Sequence, residues 1–303
     1  MKKISLLILI FLFIHGCSTE PEQEPLTYEI IESEDNFGHW MFIPASRFTW
    51  SSDNQEKTID YDYWIAKYKV TNFQFLEFLN AQPDVSLQLT DEGIVGHYSP
   101  DSTDKIFDEG NYLFYQFIDS TSQYNYGLIT WDGDKYVVDE VYNNHPVVNV
   151  TWFGANVFAN YYDYKLPNEF EWEKASRGDT GCDYPWGGFY GDDISLYSNY
   201  YNSGDSFDNG TTPIDYFIND STSNQSPYGV IDMVGNTYEW TNSWFDVNPP
   251  FKNGNAVIGK TVRTQRGGSW KSPTYSLRSW NRYYSEPYTG SPRFGFRVLK
   301  DTI

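Results

Sequence analysis

Residues 228–240 read YGVIDMVGNTYEW, an apolar run that gives way to small and polar residues and closes on a tryptophan. Two shorter stretches carry the same features: residues 266–270 read RGGSW, and residues 295–297 read GFR. Glycines permit close backbone approach, and large tryptophans anchor a domain that has little regular structure. We expect these stretches to form scaffold, with Arg297 forking onto backbone carbonyls or a carboxylate. The expected anchors are Trp172, Trp186, Trp240 and Trp270.

Helical signals occur upstream of these stretches. Residues 70–79 switch to helical spacing, residues 152–162 predict a second helix, and residues 168–178 predict a third. The first and third begin at capping boxes, which are Thr71 with Gln74 and Asn168 with Glu171. The expected buried stripe of the first helix is Phe75, Leu76, Phe78 and Leu79. Gly178 suits the position after the end of the third helix.

The strands are expected to be short and numerous, because small-residue turn signals recur throughout the chain. The predicted strands are residues 40–44, 62–68 and 147–150. Asp132-Gly133-Asp134 lies between two β-rich runs, which is typical of a hairpin. We interpret residues 83–144 as an insertion. Beyond Gly181 we expect loops and short strands.

Composition indicates a folded domain and excludes one class of partner. Hydrophobic residues make up 40% of the chain and aromatic residues 19%, which supports a sizeable core rather than disorder. The formal net charge is -20 and the pI is near 4.4. Such a surface repels nucleic-acid phosphates, so we expect no nucleic-acid partner. Acid-rich loops do suit Ca²⁺.

Five more segments complete an ordered set with the three stretches quoted first. They are WMFIP (residues 40–44), KVTNFQF (69–75), HPVVNVTW (145–152), LPNEFEWEKASRG (166–178) and YPWG (184–187). In order and spacing the set resembles the formylglycine-generating enzyme, or sulfatase-modifying factor, family, over nearly all of residues 38–300. The resemblance implies a C-type-lectin-like α+β fold with little regular secondary structure, which we assign to residues 28–303.

The chemistry of that enzyme family is missing from this chain. Formylglycine-generating enzyme converts a target cysteine using two of its own cysteines with copper, and both follow the RGGS-type motif closely. Here residues 270–278 read WKSPTYSLR and contain no cysteine. Thiolates are the soft ligands that hold Cu(I), and neither Ser272 nor Ser276 can replace them. Ser269 matches a motif serine but has no redox capacity alone. We therefore expect no catalytic residue and no copper.

Iron chemistry and a hydrolytic triad are not favoured either. Other members of the superfamily use a non-haem iron held by histidines, but no two of the mature chain's histidines lie at helical ligand spacing. We interpret His39 and His145 as packed structural residues. Nothing marks Ser269, His145 and an aspartate as an activated triad.

The resemblance implies a calcium site in the first quoted stretch. By motif its ligands are the side chains of Asp232 and Glu239 and the carbonyls of Gly235 and Thr237. Carboxylates and carbonyls on a tight loop suit a hard cation. The alternative is that the loop persists without metal, with Glu239 capping backbone amides.

A second calcium site of the family resembles residues 199–207. Asn199 and Asp205 would supply side chains, and Tyr200 and Phe207 would supply carbonyls. The spacing around Asp205 is shifted by one residue, so Asp208 is an alternative ligand.

Residues 270–292 combine aromatic side chains with Ser, Thr, Asn and Pro. This composition is typical of adaptable binding surfaces, because rigid aromatics give contact area while small polar groups tune hydrogen bonds. It also resembles lipoproteins of this fold that display a C-terminal variable segment as a receptor surface. The predicted ligand residues are Trp270, Tyr275, Trp280, Tyr283, Tyr284 and Tyr288. The alternative is that these aromatics pack a loop-rich core.

The N-terminus predicts secretion and a lipid anchor. Lys2 and Lys3 precede an apolar run that is too short to span a bilayer, and the run ends at His15-Gly16-Cys17. Residues 1–16 therefore resemble a bacterial lipoprotein signal, with Cys17 as the lipidated residue and residues 17–27 as an acidic tether. The alternative is a plain signal peptide with an incidental cysteine. Ser18 favours the outer membrane. A lipidated Cys17 would leave Cys182 unpaired.

These features lead to one principal hypothesis and two rivals. The principal one is an envelope-anchored, non-catalytic binding or structural lipoprotein that takes a glycan or an envelope protein as its ligand. One rival is an enzyme of the same family with altered chemistry, such as an oxidase-like maturation factor. The other is a component of a gliding or secretion apparatus.

Overall fold

The computed structural model describes residues 9–14, 26–81, 85–100, 107–117, 126–188, 191–207, 209–218, 223–246 and 262–302, with backbone alone at 9–14 and 26–28. Its strands are β1 (Leu9–Ile14), β2 (Leu26–Glu34), β3 (His39–Ile43), β4 (Ser46–Trp50), β5 (Gln55–Ile59), β6 (Tyr63–Ala66), β7 (Gln88–Leu89), β8 (Gly93–Tyr98), β9 (Gly110–Gln116), β10 (Thr130–Trp131), β11 (Tyr136–Val137), β12 (Tyr238–Trp244), β13 (Arg263–Arg266), β14 (Arg282–Ser285), β15 (Phe294–Phe296) and β16 (Leu299–Asp301). Its helices are α1 (Asn72–Asn80), α2 (Trp152–Tyr161) and α3 (Glu169–Arg177), with 3-10 turns at Glu140–Tyr142 and Thr274–Ser276. Three short helices among many short strands confirm the α+β class.

The largest sheet has the strand order β1-β2-β3-β6-β16, with antiparallel neighbours throughout. The sheet contains both the early strands β2 and β3 and the last strand, β16. Strand β16 pairs with β6 in the register Leu299↔Ile65. Strand β3 confirms the strand predicted at residues 40–44, and β6 is shorter than the predicted 62–68.

The second sheet, in the order β14-β13-β12-β15, brings together the three stretches that open the sequence analysis. Glu239 on β12 lies opposite Arg266 on antiparallel β13 and opposite Gly295 on parallel β15. No side chain fits at Gly295, because an added Cβ would lie 2.7 Å from the carbonyl oxygen of Val147. The stretches therefore form one scaffold, as predicted.

The helices begin where the capping signals place them. Thr71 and Asn168 each cap a helix within a complete capping box, and Gly178 follows α3 with a positive φ of 55°. Of the predicted stripe on α1, Phe75, Phe78 and Leu79 are buried, whereas Leu76 is half-buried.

Two large clusters of apolar side chains form the core. Helices α1 and α2 pack into the first, around Trp40, Trp152 and Trp240. The second lies under α3 and the large sheet, around Trp172 and Met41. Trp270 is buried as expected, but Trp186 is half-buried and stacks on Tyr184 with ring centroids 5.2 Å apart.

The middle of the chain forms three small sheets. These are the hairpin β4-β5, the sheet β7-β8-β9 and the hairpin β10-β11. The last confirms the turn predicted at Asp132-Gly133-Asp134. The predicted strand at residues 147–150 is wrong, because Asn149 has a φ of 63°. Isolated bridges form instead, at Val150 and at Pro146 just before the segment.

The N-terminal predictions fall largely outside the described residues, which omit Cys17 and residues 15–25. Residues 9–14 form β1, next to β2. In the part of the chain that the structure describes, no helix is long and apolar enough to cross a membrane. Cys182 is disulfide-bonded, which corrects the expectation that it is unpaired.

Candidate functional site

The RGGSW turn lies directly on the loop of residues 232–239. The amide of Gly235 donates to the carbonyl of Gly267 at 2.8 Å, and the amide of Trp270 donates to the carbonyl of Asn236 at 2.9 Å. Gly267 has a φ of 92°, and a Cβ there would lie 2.7 Å from the carbonyl oxygen of Met233. Glycine is required at this position for both reasons.

A cluster of hydroxyl groups follows the turn. Ser269 and Ser272 are buried, with 3.2 Å between their Oγ atoms, and the Oγ of Ser272 donates to the hydroxyl of Tyr238 at 3.1 Å. Burial raises the pKa of Tyr238 well above its usual range. The ring of Tyr283 packs against Tyr238 with centroids 4.7 Å apart. This hydroxyl cluster consists of neutral groups that do not supply a soft metal ligand.

The cysteine among the described residues, Cys182, supplies no thiolate to this cluster. The sequence holds two cysteines, Cys17 and Cys182. Cys182 is fully buried and disulfide-bonded, so it offers no thiolate. The carbonyl of the next residue, Asp183, accepts from the amide of Ser279 at 2.8 Å.

Within the loop, Glu239 is completely buried and fully engaged by cationic and neutral donors. Arg297 donates from Nε to Oε2 at 2.7 Å and from a second nitrogen to Oε1 at 2.9 Å. Trp172 donates its indole N–H to Oε2 at 2.7 Å, and Lys69 donates to Oε1 at 2.7 Å. A carboxylate offers about four lone-pair positions, and all four are used. Burial alone would raise the pKa of Glu239, but Arg297 and Lys69 outweigh it and lower that pKa to about 2.

Arg297 confirms the expectation of a forked contact. Besides Glu239 it donates to the carbonyls of Ala66 at 3.0 Å and Ile231 at 2.9 Å. It therefore ties the loop of residues 232–239 to the end of β6. The donors described for Glu239 are side chains, not the backbone amides of the alternative prediction.

The ammonium of Lys69 lies among three of the four predicted calcium ligands. Its Nζ is 2.7 Å from Oε1 of Glu239, 3.2 Å from the carbonyl oxygen of Thr237 and 3.8 Å from Oδ2 of Asp232. Calcium binds oxygen at about 2.3–2.6 Å, so an ion shared by the same oxygens would collide with Nζ. These residues, as arranged, do not fit calcium. Gly235 contributes the turn, with a φ of 81°.

Asp232 has a carboxylate oxygen that the loop does not use. Its Oδ2 accepts from the side-chain amide of Asn236 at 2.9 Å, while its buried Oδ1 has no hydrogen-bond partner among the described residues. Burial raises the pKa of Asp232 to about 6, although Lys69 and Asn236 act in the opposite direction.

The second predicted calcium site is less complete. The side-chain amide of Asn199 donates to the carbonyl of Gly210 at 2.9 Å, and Tyr200 accepts from the amide of Ser203 at 3.1 Å. Asp205 accepts from the hydroxyl of Ser203 and from the amide of Phe207, each at 2.7 Å. Asp208 lies outside the described residues. Among the residues that are described, no three His, Cys, Asp or Glu side chains group closely enough to hold a metal, and this site stays a prediction.

The predicted ligand residues divide into a scaffold and an exposed set. Trp270 is buried, and its indole donates to the carbonyl of Pro292 at 2.8 Å; Trp280 is half-buried and donates to Asp183 at 2.7 Å. Tyr283 is half-buried against the hydroxyl cluster. The exposed members are Tyr275 at 60%, Tyr284 at 59% and Tyr288 at 52%.

His145 and His39 make the contacts described here with residues outside the hydroxyl cluster. His145 is buried against Phe207 and bonds to the hydroxyl of Thr211 at 2.9 Å, and burial lowers its pKa to about 4. His39 is packed less than expected, with 43% of its side chain exposed beside Glu32. Ser269 bonds to Ser272 and not to His145.

A buried ionic network on α3 was not predicted. Glu169 accepts from Nε of Arg282 at 2.6 Å, and Glu173 accepts from Arg266 at 2.5 Å. Glu169, Glu173 and Arg266 belong to motif stretches, and Arg282 lies in the segment of residues 270–292. The signal available in the sequence was the three glutamates of α3. The network holds the N-terminal end of the turn against α3.

Comparison with protein families and known proteins agrees with this architecture. Residues 30–302 match the model of the sulfatase-modifying factor enzyme 1-like domain. A serine/threonine-protein kinase pkn1 from Chlamydia caviae is 27% identical over 92% of this chain and 41% of its own length. Mouse formylglycine-generating enzyme is 31% identical over 53% of this chain and 45% of its own length. Bovine inactive C-alpha-formylglycine-generating enzyme 2 is 32% identical over 50% of this chain and 49% of its own length. The chain thus spans less than half of each of these relatives.

Solved structures share the fold at low sequence identity. PvdO from Pseudomonas aeruginosa superposes with a TM-score of 0.62 at 21% identity, covering 88% of this chain and 96% of that one. Treponema denticola variable protein 1 has a TM-score of 0.56 at 17% identity, covering 92% and 96%. On the family match across residues 30–302, this chain belongs to the family of sulfatase-modifying factor enzyme 1-like domains.

Proposed function

We propose that this chain is a non-catalytic binding or structural protein, anchored in a bacterial envelope, whose ligand contacts the segment of residues 270–292. The observation that carries the proposal is the hydroxyl cluster after the RGGSW turn. Ser269, Ser272 and Tyr238 satisfy one another there and offer neither a thiolate nor an activated base. A relative named as inactive, similar over half of this chain, supports a role without the oxidation.

The exposed tyrosines of the segment support a binding role. Tyr275, Tyr284 and Tyr288 are each more than half exposed, although folded proteins usually cover most of an aromatic side chain. Tyr284 also packs on Phe245 with ring centroids 4.5 Å apart, which holds it in a defined orientation. Rigid aromatics of this kind lose little entropy on binding, and they suit the face of a sugar ring or an apolar patch on a protein.

Alanine substitution of these tyrosines tests the ligand face. We expect the triple variant Tyr275→Ala, Tyr284→Ala, Tyr288→Ala to bind its ligand at least about tenfold more weakly, because truncating central aromatics typically has this effect. Binding is measured on a glycan array and by pull-down from envelope extracts. A glycan binder gives a signal on the array and captures no protein partner. A component of an envelope assembly captures protein partners and gives no signal on the array.

Tyr161→Ala is the matched control. Tyr161 is 44% exposed and lies at the C-terminal end of α2. The N-terminal end of α2 is the one that meets the proposed face, because the amide of Trp152 donates to the carbonyl of Pro287. Equal binding by the parent protein and the triple variant would contradict the assignment of the face.

The anchor is proposed from the sequence of residues 1–17, and Cys182 makes it testable. A cysteine whose sulfur carries a lipid has no thiol for a disulfide, so in the lipidated protein the disulfide of Cys182 requires a partner other than Cys17. We expect intact-mass analysis of envelope-extracted protein to show acylated Cys17 as the first residue, with more than one acyl chain for stable anchoring. The variant Cys17→Ser should be released from the membrane fraction. A linked Cys17–Cys182 peptide in non-reduced digests would overturn the anchor.

A divergent enzyme is the second candidate, because the chain is 31% identical to a formylglycine-generating enzyme over about half its length. Metal analysis of the purified domain separates the two candidates. Calcium at the second predicted site, around Asn199 and Asp205, is compatible with a binding protein. Stoichiometric copper or iron would favour the enzyme.

A further inference from the structure

We propose that the ammonium of Lys69 takes the place of a calcium ion in the loop of residues 232–239, so that this loop is held by an internal cation and needs no metal. The proposal concerns the scaffold of the domain and does not depend on the proposed binding role. It starts from a disagreement between the ligand set that the family resemblance implies and the contacts those ligands make in this chain.

The position of Nζ is the first argument. It bonds to Oε1 of Glu239 at 2.7 Å and to the carbonyl oxygen of Thr237 at 3.2 Å, and it lies 3.8 Å from Oδ2 of Asp232. Each of these oxygens belongs to a predicted calcium ligand. The side chain of Lys69 is completely buried, so its ammonium is held by these oxygens rather than by water.

The charge balance is the second argument. Lys69 and Arg297 supply two positive charges, and Asp232 and Glu239 supply two negative charges, so the buried set is neutral. Calcium added beside Lys69 would leave two uncompensated charges in the interior, which is strongly unfavourable. Replacing Lys69 by a glutamate changes the sum to -2, which one calcium ion would neutralise.

A third argument comes from two oxygens that become available to a metal once Lys69 is replaced. Once Nζ is removed, the loop presents Oδ1 of Asp232, which has no partner among the described residues, together with the carbonyl that Lys69 had bonded. With a new carboxylate at position 69, the site gains the oxygen ligands that calcium prefers. The same loop is therefore expected to exchange one cation for another through a single substitution.

The experiment uses the variant Lys69→Glu in a parent protein that carries Asp205→Ala and Asp208→Ala, which remove both candidate carboxylates of the second predicted calcium site. We expect the parent to have the same Tm in EDTA and in excess CaCl2. Lys69→Glu should unfold at a lower temperature in EDTA, and calcium at a hundredfold above its Kd should raise its Tm by about 5 °C.

Lys67→Glu is the matched control. It makes the same change in net charge two residues away, where Nζ of Lys67 bonds to both carboxylate oxygens of Glu32 at 3.0 Å. We expect Lys67→Glu to show no response to calcium. A folded Lys69→Glu without a calcium response would overturn the proposal.

Terbium luminescence supplies a second readout that does not require the variant to be stable. Trp172 donates its indole N–H to Glu239 at 2.7 Å, so it would sensitise a Tb³⁺ ion bound in this loop. The parent protein retains Lys69, so Asp232→Ala should leave its terbium emission unchanged. If the parent instead binds one Tb³⁺ or Ca²⁺ ion per chain and Asp232→Ala abolishes it, Lys69 does not replace the metal and the proposal fails.

Discussion

At the scale of single residues, the domain is held by buried charges that satisfy one another. Glu239 is the centre of this arrangement, because it accepts from Arg297, Lys69 and Trp172 at once. Buried ion pairs add little net stability relative to an apolar core, but removing one partner leaves uncompensated charge. The role of Arg297 could be predicted from the GFR motif. The role of Lys69 could not, because its burial depends on the stacking of β6 against the loop of residues 232–239.

The variant Glu239→Gln should lower the free energy of unfolding by about 3–5 kcal/mol, because Lys69 and Arg297 would become unpaired buried cations. The difference between parent and variant should depend on pH. The folded pKa of Glu239 is about 2, below the unfolded value of 4.5, so its contribution is fully present above pH 4.5 and is lost as the pH falls toward 2.

Urea unfolding of the two proteins between pH 7 and the acid limit of folding measures this difference. Subtracting the variant from the parent at each pH removes the titration of the other carboxyl groups. A difference that stayed constant down to the lowest pH would show that the pKa of Glu239 is not lowered in the folded protein.

At the scale of elements, helix caps and turns set where helices and strands begin and end. Helix starts and the Asp132-Gly133-Asp134 hairpin were predictable, because capping boxes and hairpin turns are local signals. The segment at residues 147–150 was mispredicted as a strand. Its apolar side chains are buried, but the positive φ of Asn149 and its pairing with distant chain segments prevent a ladder. Such long-range constraints leave no local pattern in the sequence.

Gly235 has a sharp steric requirement within the loop of residues 232–239. An added Cβ would lie 2.1 Å from Oγ of Ser198 and 2.5 Å from the carbonyl oxygen of Asn199, at a φ of 81°. We expect Gly235→Ala to lose about 1–2 kcal/mol through backbone strain and about 1–3 kcal/mol more through overpacking.

Gly133→Ala isolates the strain, because Gly133 also has a positive φ, of 109°, but a Cβ there meets nothing within 4 Å. The free energy of unfolding of both variants is measured by denaturant titration. Equal losses in the two variants would mean that the loop of residues 232–239 does not press against Ser198 as the structure has it.

At the scale of the whole molecule, the fold was predictable from the sequence, whereas the exposure of individual aromatic residues was not. The order of eight short motifs sufficed to predict an α+β domain of the sulfatase-modifying factor family, because each motif fills a scaffold position. The disulfide of Cys182 was not predicted, because cysteine pairing depends on tertiary contacts that leave no local pattern in the sequence. The exposure of Tyr275, Tyr284 and Tyr288, and the burial of Trp270, could not be read from composition, because aromatic residues serve both surfaces and cores.

The central proposal is that this chain does not carry out a copper-dependent oxidation, because residues 270–278 contain no cysteine and hydroxyl groups satisfy one another after the RGGSW turn. The most direct measurement incubates the copper-treated protein with a cysteinyl peptide and detects aldehyde by hydrazine labelling and mass spectrometry. Mouse formylglycine-generating enzyme serves as the positive control. We predict that the peptide thiol remains unchanged with this protein. Aldehyde that forms in proportion to the protein, and that is lost in Ser269→Ala, would contradict the account.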